Sequence, residues 1–249
     1  MVLRIATLNL EQNHKRWEAR SALIADQLRK LQPDLCALNE IHLPNQTGRW
    51  LQQAVKNAGG THYTLLQQSK AGDDGLIEAE GLLARLPVIE TAKLDYRSHN
   101  CVALAARFEF QSGILEVYVT HLIATRVPEA AREYQVGELL NWIGQRGDSA
   151  RSVVCGDFNA APEALSARKM HEFFRPTQTG PTAFTPLREP DGAPTHPEWP
   201  RLDRCFDYIW IPKTMKLKDS GRCFDQPAEN DPELWPSDHV GVWADLEIG

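Results

Sequence analysis

Polar residues that could bind a metal ion or move a proton stand where apolar segments of this sequence end. Carboxylates, carboxamides and imidazoles are the groups that hydrolytic sites use to hold a hard cation, orient water and stabilise charge. Each one alone has an ordinary explanation, such as a turn or a helix cap. Their repetition after successive apolar segments predicts a shared site, with the candidate members Asn9, Glu11, Glu40, His121, Asp157, Asn159, Asp238 and His239.

Asp238 and His239 are neighbours in the stretch WPSDHV near the end of the chain. Adjacent side chains on a regular strand point to opposite faces, so both can reach one site only where a strand begins and the backbone bends. Pro236 fits such a beginning. The pair therefore needs other segments of the chain to complete a site.

The elements that must position these residues follow from the apolar pattern. Intervals of three and four predict helices at about 17–31, 46–58, 128–147 and 162–173. Several strands are joined by turns rather than helices, which predicts mixed sheets, and ligands in open α/β sheets bind beyond the carboxyl ends of strands. The predicted strands are 2–10, 35–38, 62–66, 75–85, 100–110, 113–120, 152–155, 206–211, 215–223 and 240–248.

The composition narrows the class of protein. The chain of 249 residues is 42% hydrophobic and 24% charged, and it shows no repeat or break in composition, which predicts one globular domain over residues 1–249. No segment approaches the roughly 18 apolar residues of a membrane helix, and the first residues do not resemble a secretory leader. Five cysteines without CxxC spacing argue against a disulfide framework and a zinc site, so a reducing cytoplasm is the expected compartment.

Six motifs carry a resemblance to a known group of enzymes. They are TLNLEQN (7–13), PDLCALNEIH (33–42), YVTHL (118–122) with EAAREYQVGELLNWI (129–143), VVCGDFNAAP (153–162), FDYIWIP (206–212) and WPSDHVGVWADLEI (235–248). In their order and spacing the chain resembles the endonuclease/exonuclease/phosphatase superfamily, which includes deoxyribonuclease I, abasic-site endonucleases, inositol polyphosphate phosphatases and neutral sphingomyelinases. The resemblance implies a deoxyribonuclease I-like α/β fold: a four-layer sandwich of two mixed β-sheets packed face to face and flanked by helices.

The resemblance also implies roles for individual residues. Glu40 would be the main ligand of Mg²⁺ or Mn²⁺, with Asn9 and Asp238 near the ion or its waters. Asp157 would orient or deprotonate the attacking water, and His239 would stabilise the transition state. The implied catalytic set is His121, Asp157, Asn159, Asp207 and His239, with Asn159 also as a substrate contact and Glu80 as a supporting residue. From the residues themselves, Arg126 is a further candidate substrate contact and Glu11, which follows the first strand, a further supporting residue.

Two partnerships stay open at this point. Asp207 is the preferred partner of His239 because it leads directly into an apolar strand, but Asp203 imitates the same pattern. The expected partner of His121 is Glu80, and Glu78 competes with it.

The expected function is divalent-metal-dependent hydrolysis of phosphodiester bonds by in-line attack of an activated water, in a nuclease or a small phosphodiesterase. A phosphomonoesterase or a phospholipase C-like enzyme is the alternative, and an inactive binding module fits less well because every expected polar position is filled. The net charge of −6 provides no general attraction for a polyanion. Basic and aromatic residues that a nuclease would need near the site are few, namely Lys70, Arg126, Arg132, Trp199, Arg201 and Arg204.

Overall fold

Two six-stranded sheets form the centre of the molecule in the computed structural model, which describes residues 1–11, 16–147, 149–199 and 201–248. Gln12 and Asn13 of the first motif lie outside the described residues. The first sheet has the spatial order β11 (Lys216–Cys223), β12 (Gly241–Glu247), β1 (Val2–Asn9), β2 (Leu35–His42), β4 (Glu78–Ala84) and β3 (Thr64–Ser69). The second sheet has the order β5 (Glu90–Asp95), β6 (Val102–Phe110), β7 (Gly113–His121), β8 (Ser152–Asp157), β10 (Asp207–Pro212) and β9 (Phe174–Pro176).

Each sheet is built around one parallel pair of strands. β1 is parallel to β2 in the first sheet, and β7 is parallel to β8 in the second. Every other pairing between the named strands is antiparallel. The expectation of two mixed sheets is therefore confirmed.

The central strands are buried on both faces, which produces four layers. In β1, Leu3 and Ile5 join the core between the sheets, whereas Ala6 and Leu8 face the helices. The same alternation runs through the neighbouring strands because successive side chains point to opposite faces. The outer layers are α1 (Trp17–Leu31) and α2 (Thr47–Asn57) on the first sheet, and α3 (Glu129–Arg146) and α4 (Leu165–Met170) on the second.

The elements differ from the sequence prediction mainly at the edges of the sheets. The sequence pattern missed β5 and β9, because β5 is a largely exposed edge strand without an apolar face and β9 is only three residues long. The strand predicted from 75 begins at Glu78, since a 3₁₀ turn occupies Gly72–Leu76. α4 is shorter than the predicted 162–173 helix. None of the helices in the described part of the chain combines the length and apolar character that a membrane span requires.

Candidate active site

The carboxyl ends of the two parallel strand pairs meet at one end of the sandwich. Asn9 is level with Asn39 at the end of the first pair, and His121 is level with Asp157 at the end of the second. The antiparallel neighbours contribute their beginnings at the same end, so that Asp207, the first residue of β10, is level with Asp157. Strand direction therefore brings together residues that lie far apart in the sequence.

The polar residues at this end continue the inner faces of their strands. In β8, Val153 and Cys155 belong to the core between the sheets, and Asp157 follows two residues later. His121 likewise follows Val119 in β7. Because side chains alternate with a period of two, each polar residue points into the space between the sheets where the apolar core ends. The site is thus the polar end of the central core.

Glu40 departs from this alternation and is redirected by a bulge. The register between β2 and β4 shifts between Leu38 and Ile41, and the backbone of Glu40 has a positive φ of 57°. Bulges of this kind change the direction of a side chain beside a functional site. The Glu40 side chain is 21% exposed and accepts a hydrogen bond from Asn9 Nδ2 at 2.9 Å.

Asn9 connects the two sheets at the centre of the site. Its Nδ2 also donates to Asp157 Oδ2 at 3.1 Å, and its Oδ1 accepts the backbone N–H of Glu11 at 2.9 Å. One carboxamide therefore orients both Glu40 and Asp157.

Asp157 is held at the end of β8 by backbone and side-chain bonds. Its Oδ1 accepts the backbone N–H of Asn159 at 2.7 Å, and its own backbone N–H donates to Asn39 Oδ1 at 2.9 Å. Burial raises the pKa of Asp157 to about 6, as does the charge of Asp207, while His239 acts in the opposite direction. A carboxylate with a pKa near neutrality is suited to accept a proton from water.

The close approach of strands beneath Asp157 explains the glycine that precedes it. Gly156 has a φ of +137°, and a Cβ at this position would lie 1.9 Å from the carbonyl oxygen of Thr120. Asn39 also packs here, with Nδ2 donating to the same Thr120 oxygen at 3.0 Å. The glycine thus allows β7, β8 and Asn39 to meet below the site.

His239 pairs with Asp207, which answers the question left open by the sequence. His239 Nδ1 lies 2.8 Å from Asp207 Oδ2, whereas the side chain of Asp203 is 64% exposed and lies 3.9 Å from Arg204. Burial acts to lower the pKa of His239, but the charges of Asp207 and Asp238 outweigh it and raise the pKa well above its usual value.

Both candidate partners of His121 contact the same ring nitrogen. His121 Nδ1 lies 3.3 Å from Glu78 Oε1 and 3.4 Å from Glu80 Oε1. The other ring nitrogen, Nε2, lies 3.2 Å from Asn159 Nδ2, 3.7 Å from Asp157 Oδ2 and 3.8 Å from Glu40 Oε1. His121 therefore turns one nitrogen toward two glutamates and the other toward the centre of the site.

Asp238 lies in a second group of ligating residues beside the first. Its Oδ2 is 2.8 Å from His196 Nε2, and its Oδ1 accepts the hydroxyl of Ser237 at 3.1 Å. Burial opposes ionisation, but His239 and His196 hold the pKa of Asp238 far below its usual range. Glu11 belongs to this group, since Glu11, His196 and Asp238 place one ligating atom each within 4.8 Å of one another.

Two residues at the site were missed by sequence reasoning. His196 lies in the proline-rich loop between β9 and β10, where its ring stacks on Phe184 with centroids 4.0 Å apart. Arg20 is fully buried on α1 and donates to the carbonyl oxygens of Leu10, Glu11 and Pro236. The available sequence signal for Arg20 was a charged residue at an apolar position of the predicted helix, three residues after Trp17 and four before Ile24, whereas no sequence spacing marked His196.

Most of the basic residues expected near the site already contact other groups of the protein. Lys70 forms an ion pair with Glu78, and Arg132 is buried against Glu129 and nearby carbonyl oxygens. Arg204 lies over the ring of Trp199 at 5.3 Å. Arg126 is exposed on the loop that follows His121.

The donor set suits a hard divalent cation. Glu40, His121 and Asp157 each place one ligating atom within 4.8 Å of the others, and carboxylate oxygen predominates around them. All five cysteines are buried free thiols that belong to the apolar clusters, and none of them is a member of these groups of ligating residues in the described part of the chain. Oxygen donors favour Mg²⁺ or Mn²⁺ over the softer metals that thiolates select.

Comparisons with known proteins give one consistent result. A sequence model described as the Endonuclease/Exonuclease/phosphatase family matches residues 6–239. Nocturnin of Rattus norvegicus is 24% identical over 94% of this chain, and the chain spans 59% of the length of that relative.

Solved structures share the whole fold at low identity. The human Nocturnin catalytic domain with bound sulfate anion has a TM-score of 0.76 at 21% identity, covering 100% of this chain and 94% of that one. D. rerio TDP2 complexed with single strand DNA product has a TM-score of 0.77 at 18% identity, covering 99% of each chain. These structures establish the deoxyribonuclease I-like sandwich for this chain.

Proposed function

The chain belongs to the endonuclease/exonuclease/phosphatase family, and on that premise we propose that it is a divalent-metal-dependent phosphodiesterase that uses an activated water. The observation that carries the proposal is the meeting of Glu40, Asp157 and the His239–Asp207 pair at one end of the sandwich. Hydrolysis of a phosphate diester needs a positioned water, compensation of charge on the phosphoryl oxygens and help for the leaving oxygen. Residues of the right chemistry are present for each of these tasks.

Glu40 is the proposed carboxylate ligand of Mg²⁺ or Mn²⁺, with Asn9 and Asp238 near the ion or its waters. When bound, such an ion supplies positive charge to the phosphoryl and leaving oxygens. Asn9 holds the Glu40 carboxylate through the 2.9 Å bond from its Nδ2, which keeps that ligand in one orientation.

Asp157 is the proposed acceptor of the proton from the attacking water. Its carboxylate is buried and fixed by Asn9 and Asn159, and its pKa of about 6 leaves it ionised at neutral pH. Asn159 has a second proposed role as a hydrogen-bond donor to a phosphate oxygen. Arg126 is a proposed substrate contact because it is exposed beside the strand end that carries His121.

His239 is the proposed donor to a phosphoryl oxygen in the transition state. Its Nδ1 is occupied by Asp207, so Nε2 is the nitrogen that can face the substrate. The pairing also favours the charged imidazolium, because Asp207 raises the pKa of the ring. His121 is the second proposed donor, acting through Nε2 near the phosphate or the leaving group. Glu80 is a proposed supporting residue that contacts Nδ1 of the His121 ring, and Glu11 is a proposed supporting residue in the group that contains Asp238 and His196.

The proposed substrates are small phosphodiesters or short nucleic-acid segments. The net charge of −6 and the internal pairing of Lys70 and Arg132 leave few cations to bind a long polyanion. TDP2 was solved with single strand DNA product and Nocturnin with a sulfate anion, and both kinds of ligand fit this class. We propose that residues 1–249 act as one catalytic unit in a reducing, cytoplasmic setting, which suits five free thiols.

A substrate panel tests the proposal. Bis-p-nitrophenyl phosphate, p-nitrophenyl phosphate, single- and double-stranded DNA, RNA, sphingomyelin and inositol phosphates are incubated with Mg²⁺, Mn²⁺ or Ca²⁺, and with EDTA. We expect metal-dependent cleavage of bis-p-nitrophenyl phosphate and nucleic acid. Glu40→Gln should remove this activity and Glu109→Gln should leave it intact, because Glu109 is exposed at the opposite end of β6. Preference for monoesters, sphingomyelin or inositol phosphates would favour the phosphomonoesterase or phospholipase C-like alternative, and inactivity on every substrate would refute the enzymatic proposal.

A further inference from the structure

Lys70 is a partly buried cation that has no role in the proposed reaction. Its side chain is 11% exposed, whereas those of Lys30 and Lys216 are 68% and 64% exposed. Burying an ammonium group is costly unless a partner compensates the charge. The structure supplies that partner within contact distance of a proposed catalytic residue.

The partner of Lys70 is the carboxylate that also faces His121. Lys70 Nζ lies 2.6 Å from Glu78 Oε1, and the same oxygen lies 3.3 Å from His121 Nδ1. The backbone N–H of Lys70 donates to the carbonyl oxygen of Glu78 at 3.0 Å, so main chain and side chain fix the two residues together. Lys70, Glu78 and His121 thus form a chain of contacts that runs from a partly buried cation to the buried site.

Two carboxylates face one imidazole nitrogen, and each is stabilised by a different donor. Glu80 Oε2 accepts Asn39 Nδ2 at 2.6 Å, while its Oε1 lies 3.4 Å from His121 Nδ1. Glu78 has Lys70 as its ion-pair partner. Without Lys70, two negative groups would compete for the same side of the ring, and the Glu78 carboxylate would lose the contact that holds its position.

We propose that Lys70 is a positioning residue, which fixes the Glu78 carboxylate and thereby holds His121 with Nε2 turned toward the reaction centre. The proposal rests on the proposed function, because it assigns Lys70 a part in the same reaction. It also predicts that Lys70 does not contact the substrate, in contrast to its expected place among the basic residues of a nucleic-acid site.

A double-mutant cycle tests the proposal on the most active diester of the panel. Lys70→Met removes the charge at similar volume, and we expect kcat to fall about 10-fold with KM changed less than about twofold, a loss typical of removing an outer partner of a functional histidine. In a His121→Gln background, Lys70→Met should have no further effect on kcat, because its route to the reaction is gone. Lys30→Met is the matched control, since Lys30 also pairs with a carboxylate, Asp26 at 2.7 Å, but lies on the surface.

Two results of the cycle would overturn the proposal. An equal loss of kcat in both backgrounds would mean that Lys70 acts by general stabilisation or on another group. A raised KM with unchanged kcat would mean that Lys70 binds the substrate directly. If Lys70→Met does not fold, Glu78→Gln is compared with the double variant Lys70→Met/Glu78→Gln, where equal kcat supports the proposal and a further fall overturns it.

A measurement without substrate separates this proposal from the proposed function. The ring nitrogen signals of His121 in ¹⁵N-labelled protein are identified by their absence in His121→Gln. Lys70→Met should shift them and Lys30→Met should not, and unchanged signals in Lys70→Met would overturn the positioning role. An inactive wild-type protein would refute the proposed phosphodiesterase activity. The nitrogen signals would still show whether Lys70 positions His121 through Glu78.

Discussion

Replacing Asp157 with asparagine should change the pH dependence of folding as well as the activity. Asp157 is buried at the end of β8 beside Asp207, and its pKa rises from an ordinary 3.8 to about 6 because of burial and of the Asp207 charge. The folded protein therefore binds this proton more tightly than the unfolded chain does. Asparagine has a similar shape and carries no charge, so it removes the proton equilibrium while keeping the volume.

The sign and size of the effect follow from the pKa shift. Well below pH 3.8 the carboxyl group is neutral in both states and has no effect on stability. As the pH rises from there to about 6, the unfolded chain ionises first and the wild-type protein loses stability, up to about 3 kcal/mol above that range. About 1.5 kcal/mol of this loss develops between about pH 5 and about pH 8.

Urea unfolding in the presence of EDTA measures this difference. The asparagine amide cannot reproduce both hydrogen bonds that Asp157 accepts, from Asn9 and from the backbone of Asn159, which costs about 1–3 kcal/mol at every pH. The informative quantity is therefore the change with pH. Relative to wild type, Asp157→Asn should gain about 1.5 kcal/mol of unfolding free energy between about pH 5 and about pH 8.

Asp203→Asn is the matched control, because Asp203 is 64% exposed and belongs to the loop before β10. Its unfolding free energy should differ from wild type by the same small amount at both pH values. A gap between Asp157→Asn and wild type that does not change with pH would refute the raised pKa. Asp157→Asn should also lower kcat at least about 100-fold, and near-wild-type turnover in that variant would exclude Asp157 as the proton acceptor.

Three further changes test the remaining parts of the site. His239→Ala should lower kcat at least about 100-fold with unchanged circular dichroism. Asp207→Asn should lower kcat in the same assay, because His239 loses the partner of its Nδ1. Normal kcat in either variant would contradict the proposed role of the His239–Asp207 pair. Glu40→Gln should abolish the rise in melting temperature that Mn²⁺ produces in the wild type, and an undiminished rise would place the ion elsewhere. Gly156→Ala should destabilise the protein by several kcal/mol in urea unfolding, because its Cβ would meet the Thr120 carbonyl at 1.9 Å, and wild-type stability would show that the strands can separate there.

Strand ends were predictable from sequence because apolar runs and polar terminators are local signals. The runs at 2–10 and 152–155 match β1 and β8 closely, the run at 35–38 covers only the first half of β2, and the polar residues after these runs lie at the site. β5 was not predictable in this way, since an exposed edge strand contributes little to the core and carries no clear apolar face. Local pattern is therefore most informative for strands that are buried on both faces.

The choice between alternative partners needed the tertiary structure. Asp203 and Asp207 are four residues apart in one segment, and only the entry of Asp207 into β10 brings it to His239. For His121, both Glu78 and Glu80 are in contact, because both lie on the inner face of β4 beside the end of β7. Sequence spacing alone does not distinguish between such neighbouring residues. Strand register and direction determine whether one of them or both reach the histidine.

Residue types, the strand ends that carry them and the family could be assigned from the amino-acid sequence alone, because hydrophobic periodicity and motif order are properties of the chain. The way in which these groups face one another depends on the three-dimensional packing of the chain. The bulge that redirects Glu40, the bond of His196 to Asp238 and the pairing of His239 with Asp207 depend on segments that are distant in sequence. Register, burial and charge compensation arise when the two sheets pack, and these determine which polar residues become chemical partners.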